Sequence, residues 1–156
     1  MIRVGLISDT HGLLRPEAKT FLRGCDHIVH GGDIGNSDVL EELTLLAPVT
    51  AVRGNNDFGT WAQSIHETEL FTLGGVYLYA IHDLAQLDID PNAAGVRAVV
   101  SGHSHKPLVE NRDGVLFVNP GSSGPRRFKL PISVGELIIA TDGTVSARTV
   151  ELQVKG

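Results

Sequence analysis

Cysteine is almost missing from this 156-residue chain. The one present, Cys25, cannot close an intramolecular disulfide, and a zinc site built from several thiolates is excluded with it. No apolar run approaches the ~20 residues that cross a bilayer. No signal-like segment precedes the first strand pattern, Met1-Ile2-Arg3-Val4-Gly5, so a cytoplasmic location is the expectation. Basic residues are outnumbered: 13 Lys and Arg stand against 18 Asp and Glu, a net charge of −5, and no basic block stands out. That balance argues against binding to a nucleic-acid backbone. Repeats, low-complexity tracts and linkers are also absent. What is left, with 42% hydrophobic residues, reads as one globular domain over 1–156, long enough to bury a core without cross-links.

Taken in order, the chain begins with a strand over Arg3 to Ser8, then a helix with Pro16 in its first turn and Gly24 beyond its end. Leu14, Ala18, Phe21 and Leu22 make that helix's apolar face. A strand over His27 to His30 follows, then a helix capped by Ser37 or Asp38 with Val39, Leu43 and Leu46 on one stripe, then a strand from Val49 to Val52. Strand, helix, strand, helix, strand is the pattern of parallel pairing through right-handed crossovers. Beyond it the strands pair as hairpins. Ile65 to Leu73 and Val76 to Ile81 flank Gly74-Gly75; Lys106 to Asn111 and Val115 to Val118 flank Asp113-Gly114; Ile132 to Ala140 and Thr144 to Val150 flank Asp142-Gly143. Asp90 and Pro91 start a short helix that Gly95 stops, ahead of the strand Arg97 to Val100. Many strands and few helices fit two sheets with helices on their outer faces.

The strand ends share a chemistry. Asp9 and His11, Asp33, Asn55, His82, and the pair His103 and His105 each follow an apolar run, and a further run ends in the Asn119 loop. In α/β sheets the loops beyond the carboxyl ends of the strands converge on one crevice. Four histidines, two aspartates and an asparagine exceed one ion, since a catalytic zinc takes three protein ligands. Two ions sharing a bridging carboxylate would use all seven. Oxygen and imidazole ligands without thiolate suit Mn, Fe, Zn or Ni.

As a set, Asp9-x-His11, Gly32-Asp33, Gly54-Asn55, His82 and Gly102-His103-x-His105, in this order, resemble the calcineurin-like metallophosphoesterase superfamily. Asn119-Pro120-Gly121-Ser122 followed by Pro125-Arg126 is similar to its small, single-domain bacterial and archaeal phosphodiesterase branch. The likeness runs from Asp9 to about Arg127. It implies an α/β fold, a four-layer αββα sandwich of two mixed β-sheets flanked by helices. It also implies a dinuclear centre: Asp9, His11 and His105 hold one ion, Asn55, His82 and His103 the other, and Asp33 bridges them. The implied activity is phosphodiester hydrolysis of a small organic phosphate, with Asp33, Asn55 and His82 as catalytic residues. Manganese is the first expectation for the metal, ahead of Ni, Fe, Co or Zn. Ions ~3.5–4 Å apart share a water whose pKa falls towards ~7, supplying a bridging hydroxide, and they polarise the phosphoryl oxygens.

The chain departs from the family pattern at two places. Family members often carry a histidine after the ligand asparagine, placed to protonate the leaving group; here the position is Asn56, which cannot deliver a proton at neutral pH. Many relatives follow the ligand matching His82 with Gly-His, where this chain has Asp83-Leu84. Asn56 and Arg126 are expected at the substrate. Arg53 and Arg126 carry the fork that clamps a phosphate, with a solvated surface arginine as the alternative for each. Asp57 is expected to orient neighbouring groups. His27, His30 and His66 match no ligand position and read as structural or surface residues, and Trp61 as a packing or interface residue. A metallo-β-lactamase pattern is broken by Lys106 after His105. The competing function is a non-catalytic protein-binding scaffold on the same fold, as in the retromer subunit; retention of all seven ligand positions favours the enzyme. Short loops leave the substrate unread, and a homo-oligomer is left open.

Overall fold

Val4 and Leu6 alternate along the first strand with Gly5 and Ile7, and that alternation sets the layers of the molecule. The computed structural model describes residues 1–154. Its elements run β1 (Ile2–Ile7), α1 (Pro16–Leu22), β2 (His27–His30), α2 (Ser37–Thr44), β3 (Val49–Ala51), β4 (Thr68–Leu73), β5 (Val76–Ile81), β6 (Val96–Val100), β7 (Leu108–Arg112), β8 (Val115–Asn119), β9 (Ser133–Ile139) and β10 (Val145–Glu151). One sheet has the order β10-β9-β1-β2-β3, the other β4-β5-β6-β8-β7. Both are mixed. In the first, β1, β2 and β3 are parallel, β9 pairs antiparallel with β1, and β10 pairs antiparallel with β9. In the second, β5, β6 and β8 are parallel and β4 and β7 antiparallel.

Val4, Leu6, Val29 and Leu137 of the first sheet pack against Leu78, Ala80, Ala98, Val100 and Val118 of the second, so the main core lies between the sheets. Ile7 and Ile28 face the other way, onto Ala18 and Leu22 of α1 and Val39 and Leu43 of α2. Gly5 permits this closeness: a Cβ there would run into Leu22 Cδ2 and stand 2.9 Å from Cys25 Sγ. The outer face of the second sheet buries Tyr79, Ile81, Val96, Val99, Val115 and Phe117. Its cover is slighter, a 3-10 turn over Leu84–Gln86 with Leu87 and Ile89. A bulge between Tyr77 and Leu78 pairings leaves Arg97 unpaired and turns Val96 to the same face as Val99.

Local differences from the sequence expectation have local causes. The cap of α2 is Asn36, extended and accepting from Val39 N at 3.2 Å, one residue ahead of Ser37 and two ahead of Asp38, the caps expected. Asp90 does not start a helix. Its carboxylate accepts from Asn92 N and Ala93 N, and a single turn closes by Ala94 N→Asp90 O before β6 begins. The strand expected from Ile65 starts at Thr68, after a 3-10 turn over Thr60–Ala62 whose Trp61 packs on the α1–α2 core.

Candidate metal centre

The carboxyl ends of β1, β2, β3, β5, β6 and β8 all open on one edge of the sandwich, and the chain leaves most of them in an unusual conformation. Asp9, His11, Asp33, His103 and His105 each have positive φ, between 46° and 72°. For a non-glycine residue this left-handed geometry costs on the order of 1–3 kcal/mol and persists where the surroundings over-determine it. Five expected ligands therefore sit on sharp, held turns that aim their side chains at a common point. Two glycines make room. A Cβ on Gly54 would run into the Asp33 amide nitrogen and carboxylate, and one on Gly102 would run into Ser8 Oγ and come within 2.8 Å of Asp9 Oδ2.

Asp9 is fully buried. Its Oδ2 accepts from Ser8 Oγ at 2.8 Å and from His103 N at 3.1 Å, while Oδ1 has no hydrogen-bond partner and lies 3.5 Å from His105 Nε2. His11 Nε2 and His105 Nδ1 are likewise buried without a partner. Each such atom costs about 1–3 kcal/mol unless something fills it. Asp9, His11 and His105 each bring one ligand atom within 4.8 Å of the others. A carboxylate oxygen and two imidazoles, brought together with unpartnered buried atoms, fit a divalent cation. Burial pushes the Asp9 carboxyl up to about 7. Burial, followed by the charge of Arg127, pushes His105 down to about 4.

Asp9 also belongs to a second group, with Asp33 and His82. Asp33 Oδ2 lies 3.3 Å from His82 Nε2 and 3.7 Å from His11 Nε2, between the two sets of imidazoles, where a shared ligand belongs. Asn55 Oδ1 is 3.0 Å from His82 Nε2, and His82 Nδ1 donates to Gly31 O at 2.7 Å. Burial works against charge on His82, but the Asp33 carboxylate and the Gly31 carbonyl outweigh it and raise its pKa. Asp33 is held well below the usual carboxylate range: burial opposes this, and bonds from His82 and Asn56 prevail. The His103 ring lies edge-on to His82 with centroids 5.2 Å apart, half exposed, its Nε2 3.9 Å from Asp83 Oδ2. The seven expected ligands thus converge, with His103 at the rim.

The residues expected at the substrate behave differently. Asn56 turns inward, its backbone N–H donating to Asp33 Oδ1 at 2.9 Å and its Nδ2 to Asp33 Oδ2 at 3.1 Å. Arg126 is exposed, with Nη1 donating to Leu130 O at 3.4 Å, and it does not join the cluster. Arg53 pairs with Glu67 at 3.2 Å. It lines a cleft of about 520 Å³ that reaches Asn55, His82 and His103 and is walled further out by Thr68, Asp83 and Asp88. Asp57 is buried and orients backbone: Oδ1 accepts from Gly35 N and Oδ2 from Gly54 N. His66 bonds Glu69 at the surface and His27 bonds Thr50, both apart from the centre.

Some supporting residues had no reading as such in the sequence. Asn119 Nδ2 donates to Gly102 O and Ser104 Oγ, steadying the His103–His105 turn, and Ser122 Oγ donates to Asp9 O. The one signal for Asn119 is its place at a strand end like those of the ligands.

The family model of the calcineurin-like phosphoesterase superfamily domain matches residues 2–142. A probable metallophosphoesterase of Methanothermobacter thermautotrophicus is 34% identical over 151 residues, covering 90% of this chain and 86% of that protein. Among solved structures, a novel archaeal phosphodiesterase superposes with a TM-score of 0.78 at 21% identity, over 96% of this chain and 100% of that one. Vps29 of Entamoeba histolytica, solved in complex with zinc, superposes with a TM-score of 0.71 at 25% identity, over 96% of this chain and 99% of that one.

Proposed function

Because the chain belongs to the calcineurin-like phosphoesterase superfamily, we propose that it is a phosphodiesterase dependent on two divalent metal ions and acting on a small organic phosphate. The observation that carries this reading is the grouping of Asp9, His11 and His105, each with a buried polar atom that has no hydrogen-bond partner, beside a carboxylate, Asp33, that faces both sets of histidines. Asp9, His11 and His105 would hold one ion, Asn55, His82 and His103 the other, and Asp33 both. Such ions, when bound, supply a water of lowered pKa and neutralise charge on the phosphoryl oxygens; manganese leads, with Ni, Fe, Co or Zn as substitutes.

The chain's own residues do the rest. Asp33 keeps its negative charge between the imidazoles, held there by the two Asn56 bonds. Gly31 O fixes His82 with Nδ1 as donor, so Nε2 is the atom turned to the centre. The cleft beside Asn55, His82 and His103 gives one ester group of the substrate a place to lie. Asn56 donates hydrogen bonds but delivers no proton, so a departing alkoxide receives little help from it.

Hydrolysis of an activated aryl phosphodiester should require added Mn²⁺, Ni²⁺ or Co²⁺ and stop with a chelator. His82→Ala should abolish it with the fold intact. Turnover that survives both changes belongs to a contaminant. The likeness to Vps29 supports a second reading, a protein-binding scaffold on the same fold, and absence of hydrolysis with every ion favours it. No helix among the described residues is long and apolar enough to cross a membrane; we place the enzyme in the cytoplasm.

A further inference from the structure

His30 ends β2 and is fully buried, on the same side of the strand as Ile28, yet it belongs neither to the ligand set nor to the apolar clusters. Its ring makes two bonds that fix its tautomer. The Gly32 N–H donates to Nδ1 at 3.0 Å, so Nδ1 carries no hydrogen. Nε2 must then carry the proton, and it faces Thr10 Oγ1 at 3.0 Å. The Thr10 hydroxyl in turn donates to Ile34 O at 2.8 Å. Every donor in this short relay points one way, from Gly32 through His30 and Thr10 to Ile34, and every buried polar atom in it is satisfied. Burial, with the positive character of neighbouring histidines, pushes the His30 ring down to about 3, in keeping with a neutral ring.

The relay touches the metal centre at telling places. Thr10 is the residue between Asp9 and His11. Gly32 and Ile34 stand on either side of Asp33. Three backbone bonds already lay these two arches side by side, Asp9 N→Gly32 O at 2.9 Å, His11 N→Asp33 O at 2.9 Å and Gly12 N→Ile34 O at 2.7 Å. Those bonds fix which residues lie opposite one another. They do not by themselves set the tilt of the arches, and all three expected ligands on them, Asp9, His11 and Asp33, sit at positive φ, a conformation that persists where the surroundings over-determine it.

We propose that the His30 ring and the Thr10 hydroxyl form a positioning couple that sets the Asp9–His11 arch against the Asp33 arch at the separation their metal ligands need. Neither residue touches metal or substrate. The proposal rests on the metal-binding part of the reading above and not on its phosphodiester chemistry.

Thr10→Val removes the hydroxyl while keeping the shape; Thr10→Ser keeps the hydroxyl and loses a methyl. Both are compared with the wild type by calorimetric titration of the metal-free full chain with Mn²⁺, and thermal unfolding without metal records any purely structural effect. Partners that orient metal ligands are typically worth ~10–100-fold in metal affinity. Thr10→Val should bind Mn²⁺ weaker by a factor in that range, and Thr10→Ser should restore most of the affinity. Folded Thr10→Val with wild-type affinity overturns the proposal, whatever its unfolding temperature. If Thr10→Val does not fold, His30→Gln takes its place: it keeps a donor for Thr10 but removes the acceptor of Gly32 N–H, and wild-type Mn²⁺ affinity in it equally overturns the proposal. A wild type that takes up one ion contradicts the dinuclear reading alone, because the Val-to-Ser difference is still read on that ion. A wild type that takes up none overturns both.

Discussion

On the side of Asp9, His11 and His105, three side-chain polar atoms are buried without a hydrogen-bond partner; on the side of Asn55, His82 and His103, the first two side chains face one another. His82 Nε2 faces Asn55 Oδ1, and the His103 ring is 46% exposed beside Asp83, at the mouth of the cleft. Folding has buried Asp9 and His105 and most of His11, so an ion entering there meets few competing protein contacts and displaces chiefly the proton that burial favours on Asp9. An ion entering the second half must displace water from His103 and part His82 from Asn55. The same kind of ligand therefore makes two unlike pockets. What differs is the place of the turn: the first half lies at the seam of the sheets, and the second faces the open cleft.

Asp33 is where the comparison is broken most completely. Because its carboxylate faces His11 and His82 together, Asp33→Ala should remove both ions, taking Mn²⁺ uptake from two per chain to none and activity with it; elemental analysis after reconstitution checks this. One ion retained at full affinity would show that the halves are independent.

Asn56 comes next in size. A positioned acid is typically worth ~10²–10⁴ in rate, and aryl leaving groups hardly need one. We expect a steep fall in rate as the leaving group becomes more basic, and Asn56→His should flatten it by improving alkyl esters far more than aryl esters. The bonds of Asn56 to Asp33 add a second expectation, that the substitution also weakens Mn²⁺ binding. A flat dependence in the unmutated enzyme would mean that another group or a water already supplies the proton.

The smallest effect sharpens the buried side. His30, pushed down to about 3, binds a proton in the unfolded chain below about 6.5 but not in the folded one, so its share of stability is lost as pH falls from about 6.5 to about 3. Asp9, pushed up to about 7, acts with the opposite sign between its ordinary value and 7. It is present in both proteins when metal-free wild type is compared with His30→Gln, and it cancels. The stability gap between the two, measured by denaturant titration, should narrow across that window by up to a few kcal/mol.

How much of this was legible in the sequence follows from what kind of interaction each residue makes. The convergence of the expected ligands was readable because each stands at the end of an apolar run, often beside glycine, and a strand end has one place to be. The sheets were readable because period-two runs separated by Gly-Gly or Asp-Gly leave few pairings. Asn36 was missed as a cap because Ser37 and Asp38 offer the same chemistry one and two residues later. The turn after Asp90 has a helix-like start, but Gly95 ends it before a second turn forms. His30 and Thr10 gave no sign of their link, since it joins residues 20 apart through side chains whose facing depends on how two loops fold over one another. Asn56 was read by its chemistry as a group near the leaving oxygen, whereas its geometry depends on the Asp33 turn beneath it.

The most direct measurement is calorimetric titration of metal-free protein with Mn²⁺, run on the wild type, His105→Ala and His103→Ala. The wild type should show two binding events of unequal affinity. His105→Ala should remove the tighter one and His103→Ala the weaker, leaving the other close to its original strength. A single event in the wild type, or loss of the tighter event in His103→Ala, would contradict a centre built from one buried pocket and one open pocket.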